Sequence, residues 1–106
     1  MISYIKTLFS SAAAPNYKEL LDRGATIVDV RTPGEFASGN VHGSLNIPLQ
    51  TLSSGIKKLS KTKPVILCCA SGMRSAQAKH MLESQGFQEV YDAGSWMRLQ
   101  RMLQQQ

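Results

Sequence analysis

The chain predicts an α/β fold in which a central parallel sheet carries helices on both faces. Two runs, ATIVDV (Ala25–Val30) and PVILC (Pro64–Cys68), have the unbroken apolar character of strands buried on both sides. Segments with helical spacing of apolar residues separate the strand-like runs, and Gly24, Pro48 and Gly86 punctuate the junctions. Strands alternating with helices in this way build a parallel sheet through crossover connections.

The elements follow in order. Pro15-Asn16-Tyr17-Lys18-Glu19 reads as a helix start, with Asn16 as N-cap and Glu19 three residues on. Tyr17, Leu20 and Leu21 give that helix an apolar face, and Gly24 ends it. After the Ala25–Val30 strand, Pro33 to Ala37 enters a brief helix that Gly39-Asn40 closes. Ser44 to Ile47 is a short strand, stopped by Pro48, which also holds Ile47 extended. Leu52, Ile56 and Leu59 lie at i, i+4 and i+7, predicting a helix across Gly55. Pro64–Cys68 is the most strand-like run. A helix over Ser75–Gln85 follows, with Ala78, Met81 and Leu82 inward and Gly86 as terminator. Glu89–Tyr91 is the last strand, and Trp96, Leu99, Met102 and Leu103 mark the buried side of a C-terminal helix.

A length of 106 residues fits one domain, placed at residues 15–104, and leaves little room for a second. Residues 1–14 form an N-terminal extension, in which Ile2, Ile5, Leu8 and Phe9 have the spacing of a short amphipathic helix packed on the domain. That segment has no basic n-region, and Ser3 and Lys6 interrupt its apolar stretch, which argues against a signal peptide. No apolar run reaches the roughly 20 residues needed to span a bilayer. The expected location is the cytoplasm; an export signal already trimmed away would make it the periplasm. Hydrophobic residues make up 42% of the chain, enough to argue against disorder. A net charge of +5 attracts small anions, but Lys57, Lys58, Lys61 and Lys63 read as a solvated helix face and loop. Without a clustered basic patch and a reading element, no nucleic-acid partner is expected.

Chemistry concentrates in CCASGMRS, Cys68 to Ser75, at the junction between the strongest strand and a helix. In an open parallel sheet, ligands collect at the carboxyl ends of strands. A thiol there is open to four readings: core packing, a metal ligand, half of a disulfide, or a nucleophile. Adjacent cysteines make a poor disulfide framework, because side chains diverge along an extended chain. A structural zinc site needs about four ligands, and only His42, His80 and scattered carboxylates could join the thiols. Neither a metal nor a cofactor is expected. Cys68 reads as a strand residue facing the core.

Cys69 fits the nucleophile. The amides of Ala70 to Ser75 can turn inward as an anion nest at the start of the helix, with Gly72 supplying the tight curve. Arg74 would add a planar cation suited to a tetrahedral oxyanion. A thiol of ordinary pKa, about 8.5, is only slightly ionised at neutral pH; lowering it by about 2, worth roughly 2.7 kcal/mol, makes thiolate the main form.

CASGMRS, Cys69 to Ser75, resembles the active-site loop of rhodanese-type sulfurtransferases, Cys-x-x-Gly-x-Arg-Ser. DVRTPGEFASGNVHGSLNIP, Asp29 to Pro48, is similar to the family's second signature, and YDAGSWMRL to its region of paired glycines and a tryptophan. Together these motifs cover most of residues 16 to 98. The resemblance implies a rhodanese-like fold and a Cys69 persulfide as covalent intermediate. It implies thiosulfate or a related sulfane-sulfur donor, and as acceptor cyanide in assay or a thiol or sulfur-accepting protein in the cell. Ala70, Ser71, Gly72, Met73, Arg74 and Ser75 then match the substrate-binding loop. Asp29, Arg31 and Glu35 match positions that organise the fold and the wall beside the site, with ion pairing their expected role.

The departures from the family pattern are specific. Asn40 stands where many relatives have histidine, and His42 is expected in a partly exposed loop without a catalytic part. Ala93-Gly94 replaces the paired glycines. Two rival readings remain at this level. A cysteine-dependent phosphatase would resemble a loop one residue longer than the four residues between Cys69 and Arg74. A sulfur carrier would transfer only when docked to a partner protein.

Overall fold

The computed structural model describes residues 15–106, so the expected N-terminal amphipathic segment lies outside the described residues. Helix α1 (Tyr17–Asp22) starts where Asn16 accepts the Glu19 amide, and Gly24 turns the chain at a φ of 93°. Strand β1 (Thr26–Asp29) follows, then α2 (Pro33–Ser38) and β2 (Leu45–Asn46). Strand β3 (Val65–Cys69), helix α4 (Met73–Ser84), strand β4 (Val90–Ser95) and helix α5 (Trp96–Gln105) complete the chain; α3 is the short turn Leu52–Gly55. The four strands pair in parallel in the order β2-β1-β3-β4. No helix among the described residues is long and apolar enough to cross a membrane.

Strand alternation divides the core into two layers. Val28, Val65, Leu67 and Cys69 face one way, toward Leu52, Ala78 and Leu82. Ile27, Ile66 and Cys68 face the other, toward Tyr17, Leu20 and Leu99. The two cysteines therefore point to opposite faces of β3. Burial pushes the Cys68 thiol far up, and the nearby Asp29 adds to the effect, so Cys68 stays a neutral thiol.

Three boundaries differ from the sequence expectation by more than one residue. The single helix expected through Leu52, Ile56 and Leu59 is broken into a 3₁₀ turn (Leu49–Thr51), α3, and a second 3₁₀ turn (Ile56–Lys58), with Leu59 extended. Gly55 shows how closely the segment hugs the core: a Cβ there would overlap Ile47 Cγ2. Gly55→Ala is expected to cost about 1–3 kcal/mol by overpacking, read as a lower denaturant midpoint; an unchanged midpoint would show that Ile47 yields freely.

Helix α4 begins at Met73, not Ser75, because Gly72 leaves the helical path one residue before it, at a φ of 109°. Strand β4 runs to Ser95 rather than ending at Tyr91. It absorbs an extra residue against β3, since Leu67 pairs with Asp92 and Cys69 with Ser95. Gly94, at a φ of 75°, donates its N–H to Asp92 Oδ1 within this bulge (2.9 Å).

Candidate active site

Cys69 is the last residue of β3 rather than the first beyond it, at the carboxyl edge of the sheet. The loop Ala70–Gly72 folds back so that the Gly72 N–H donates to Cys69 Sγ at 3.0 Å and the Ser75 N–H at 3.4 Å. Ser75 is buried; its hydroxyl accepts from the Cys69 thiol at 3.4 Å and donates to the Gly72 carbonyl at 3.1 Å. If the thiol ionises, that hydroxyl proton can turn toward the sulfur. Burial, the largest single influence, pushes the Cys69 thiol up. Hydrogen bonds from the Ser75 hydroxyl and from the amides of Ser75, Gly72 and Ser71 outweigh it, and the net direction is down.

The loop residues divide by role. Ala70 and Ser71 are exposed and Met73 is 82% exposed; of these three, it is the Ser71 amide that acts on the Cys69 sulfur. Arg74 differs from expectation. Its guanidinium does not stand free for an anion: Nη1 and Nη2 donate to Glu35 Oε1 and Oε2 at 2.7 and 3.0 Å. Glu35 is held for this contact by a capping box at the start of α2, where Thr32 and Glu35 exchange side-chain and backbone bonds. The Arg74 contact, followed by bonds from Thr32, brings the Glu35 carboxyl down to about 2, so the pair is charged throughout the neutral range.

The other expected wall residues form a separate, buried unit. Arg31 Nη2 donates to Asp29 Oδ2 at 2.8 Å, and Arg31 Nε reaches both Asp29 oxygens at 3.0 Å. The guanidinium also donates to the Glu35 and Gly39 carbonyls and lies 4.7 Å from the Trp96 ring centroid. Gly39 is required by that stack: a Cβ there would be 2.9 Å from Trp96. Asp29, Arg31 and Glu35 are thus joined through one backbone carbonyl, while the Glu35 side chain belongs to the loop. Asn40 and His42 are exposed, and the Asn40 side chain donates to the Phe36 carbonyl. Among the described residues, no three His, Cys, Asp or Glu side chains converge as metal ligands would.

Sequence reasoning passed over Thr32. Its signal was present, since Thr32 and Glu35 have the spacing of a capping box just before a helix.

Comparison with known proteins agrees with this architecture. The family model described as Rhodanese-like domain matches residues 13–100. The thiosulfate sulfurtransferase GlpE of Ectopseudomonas mendocina is 33% identical over 93 residues, covering 88% of this chain and 85% of that one. GlpE of Stutzerimonas stutzeri is 37% identical over 78 residues, or 74% and 72% of the two chains. An uncharacterized protein, YqhL of Bacillus subtilis, is 39% identical over 70 residues; the match covers 66% of this chain but only 56% of that one. Among solved structures, the human single-domain sulfurtransferase TSTD1 superposes with a TM-score of 0.70 at 26% identity, covering 82% of this chain and 91% of its own. A rhodanese with anions from E. coli gives 0.66 at 30% identity, covering 70% and 89%. The chain belongs to the rhodanese-like domain family and is a sulfurtransferase of the rhodanese type.

Proposed function

We propose that the protein takes sulfane sulfur from thiosulfate, or a related donor, and passes it to a thiophilic acceptor through a persulfide on Cys69. The observation that carries this is the set of inward N–H donors, Gly72 at 3.0 Å and Ser75 at 3.4 Å, on a sulfur at the carboxyl end of a central strand. The Cys69 thiolate attacks the outer sulfur of thiosulfate. A sulfur–sulfur bond forms to Cys69, the donor's own sulfur–sulfur bond breaks, and its electron pair departs with sulfite. The charge then sits on the outer sulfur of the persulfide, where the same amides that steady the thiolate can follow it. Cyanide or a thiolate attacks that outer sulfur next and restores Cys69. Cys69 has no exposed surface in this structure, so the donor reaches it once its surroundings open.

Ala70 to Ser75 line this cradle, mainly through backbone. Arg74 and Glu35 form its charged wall, and Asp29 with Arg31 braces the wall from beneath. The loop, with four residues between cysteine and arginine, suits a single added sulfur better than a phosphoryl group. One observation favours the carrier reading as a second possibility: Met73 leaves an apolar side chain 82% exposed on the rim of the site, where a sulfur-accepting protein could dock. Faster turnover with such a protein than with any small acceptor would select it.

Intact-mass measurement after incubation with thiosulfate tests the main reading. The wild type is expected to gain one sulfur atom and lose it to cyanide, while Cys69→Ser gains none and Cys68→Ser behaves as wild type. No gain in the wild type, or equal gain in Cys69→Ser, rules the assignment out.

A further inference from the structure

Beside α5 lies an open cleft of about 360 Å³, lined by Asn40, Val41, His42, Gln100, Leu103 and Gln104. None of these residues belongs to the Cys69 cradle. An engineered apolar cavity of about 150 Å³ holds benzene, so this cleft has room for more than one side chain. Val41 and Leu103 give it an apolar floor, as both belong to the hydrophobic cluster under α5. The lining contains no Asp, Glu, Lys or Arg, so a charged ligand would leave water without a counter-charge. Gln100 adds a specific demand. Its Oε1 is buried and accepts no hydrogen bond among the described residues, a state that costs stability until a donor arrives.

The same chain brings a matching segment close. The Pro15 carbonyl accepts from Gln106 Nε2 at 3.3 Å, and Lys18 donates to Gln106 through its backbone N–H at 3.1 Å and its Nζ at 2.8 Å. Residue 15 is therefore pinned to the carboxyl end of α5, two residues beyond Gln104 of the cleft. Gln100 lies six residues back from Gln106 along the helix, or about 9 Å at 1.5 Å per residue. Phe9 lies six residues before Pro15, a span of up to about 20 Å. Residues 1–14 set Ile2, Ile5, Leu8 and Phe9 at helical spacing and interleave the hydroxyls of Ser3, Tyr4, Thr7 and Ser10; Lys6 is their one charged side chain. Such a sequence complements an uncharged cleft that holds an unsatisfied acceptor, and its apolar groups gain by leaving water.

We propose that residues 1–14 turn back along α5 and seat Leu8 and Phe9 in this cleft, with a donor from the same segment on Gln100 Oε1. The contact is intramolecular and does not depend on the sulfur chemistry. It covers the helix whose first residue, Trp96, stacks on Arg31, and so backs the wall of the active site from outside.

Trypsin reads the docking, because Lys6–Thr7 is the one bond within residues 1–14 that it cuts. When opening and closing outpace cleavage, the rate follows the fraction of chain with the segment released. Cleavage after Lys6 in the full chain is expected to be about tenfold or more slower than in a synthetic peptide of residues 1–14. Phe9→Ser should restore most of the peptide rate. His42→Trp and Gln104→Trp, which fill the cleft from exposed positions, should each raise the full-chain rate by about fivefold or more. Two cleft variants keep the test decisive if one folds poorly. Cleavage of the full chain at the peptide rate would overturn the docking. Protection that grows with protein concentration would also overturn it, since a second copy would then hold the segment. So would protection that survives Phe9→Ser or both cleft variants, which would put the segment elsewhere.

Discussion

Asp29→Ala is expected to lower folding stability by about 3–5 kcal/mol, because it strands a buried guanidinium. Asp29 is fully buried and Arg31 is 3% exposed. The carboxylate accepts from Arg31 Nε, Arg31 Nη2 and the Arg31 backbone amide, the last at 3.0 Å. After truncation, the charge keeps, among the described residues, the Glu35 and Gly39 carbonyls and the Trp96 face, all neutral partners. Against a typical total of about 5–15 kcal/mol, such a loss leaves a marginal domain. The signature is in the double variant: Asp29→Ala with Arg31→Met should be more stable than Asp29→Ala alone, because the unpaired charge is gone. Urea midpoints measure both. A single variant losing under about 1 kcal/mol would mean that Arg31 reaches water without cost. The effect extends to the site, since Arg31 holds the Glu35 carbonyl and so the helix that carries the Glu35 carboxylate to Arg74.

The features legible in the sequence are those set by local rules. The Asn16 cap follows from side-chain chemistry within one turn, and the opposite facing of Cys68 and Cys69 from the two-residue period of a strand. Gly72 was legible as the residue that permits the tight curve, and its φ of 109° accords with that. Its effect on the start of α4 was not, because serine at position 75 has cap chemistry of its own and instead spends its hydroxyl on Cys69. The Glu35–Arg74 pair joins residues 39 apart, and only the assembled sheet brings α2 against the loop. The helix expected through Leu52, Ile56 and Leu59 is broken where Gly55 packs against Ile47, and β4 is lengthened across a bulge against β3. Both are contacts between elements, which periodicity along the chain does not encode.

Gly72→Ala is expected to move the chemistry itself. A Cβ at Gly72 would meet only Gly94 Cα, at 3.8 Å, an ordinary contact, so crowding is not the difficulty. The difficulty is the backbone: a φ of 109° with a ψ of −15° is costly for an L side chain, by about 1–3 kcal/mol. Relaxing that strain turns the very N–H that reaches Cys69 Sγ at 3.0 Å. The thiol then loses a donor that favours its anion, and its pKa rises toward the ordinary value of about 8.5. Since the thiolate is the attacking form, sulfur loading from thiosulfate climbs with pH and levels off above the thiol pKa. In the wild type that inflection should lie below that of an ordinary thiol, and in Gly72→Ala it should move upward, slowing loading at pH 7 by up to about tenfold for each unit of rise. Rapid-quench loading followed by intact mass, across pH 6 to about 10, reads both inflections. Coincident curves would remove the Gly72 amide from the electrostatics of the site. Arg74→Ala provides the contrast. The guanidinium is already bound to Glu35, while the donors that lower the Cys69 thiol are the Ser75 hydroxyl and the loop amides. Loss of Arg74 should therefore shift the inflection less than Gly72→Ala does, while the Glu35 carboxylate left unpaired on the wall repels thiosulfate and raises its KM.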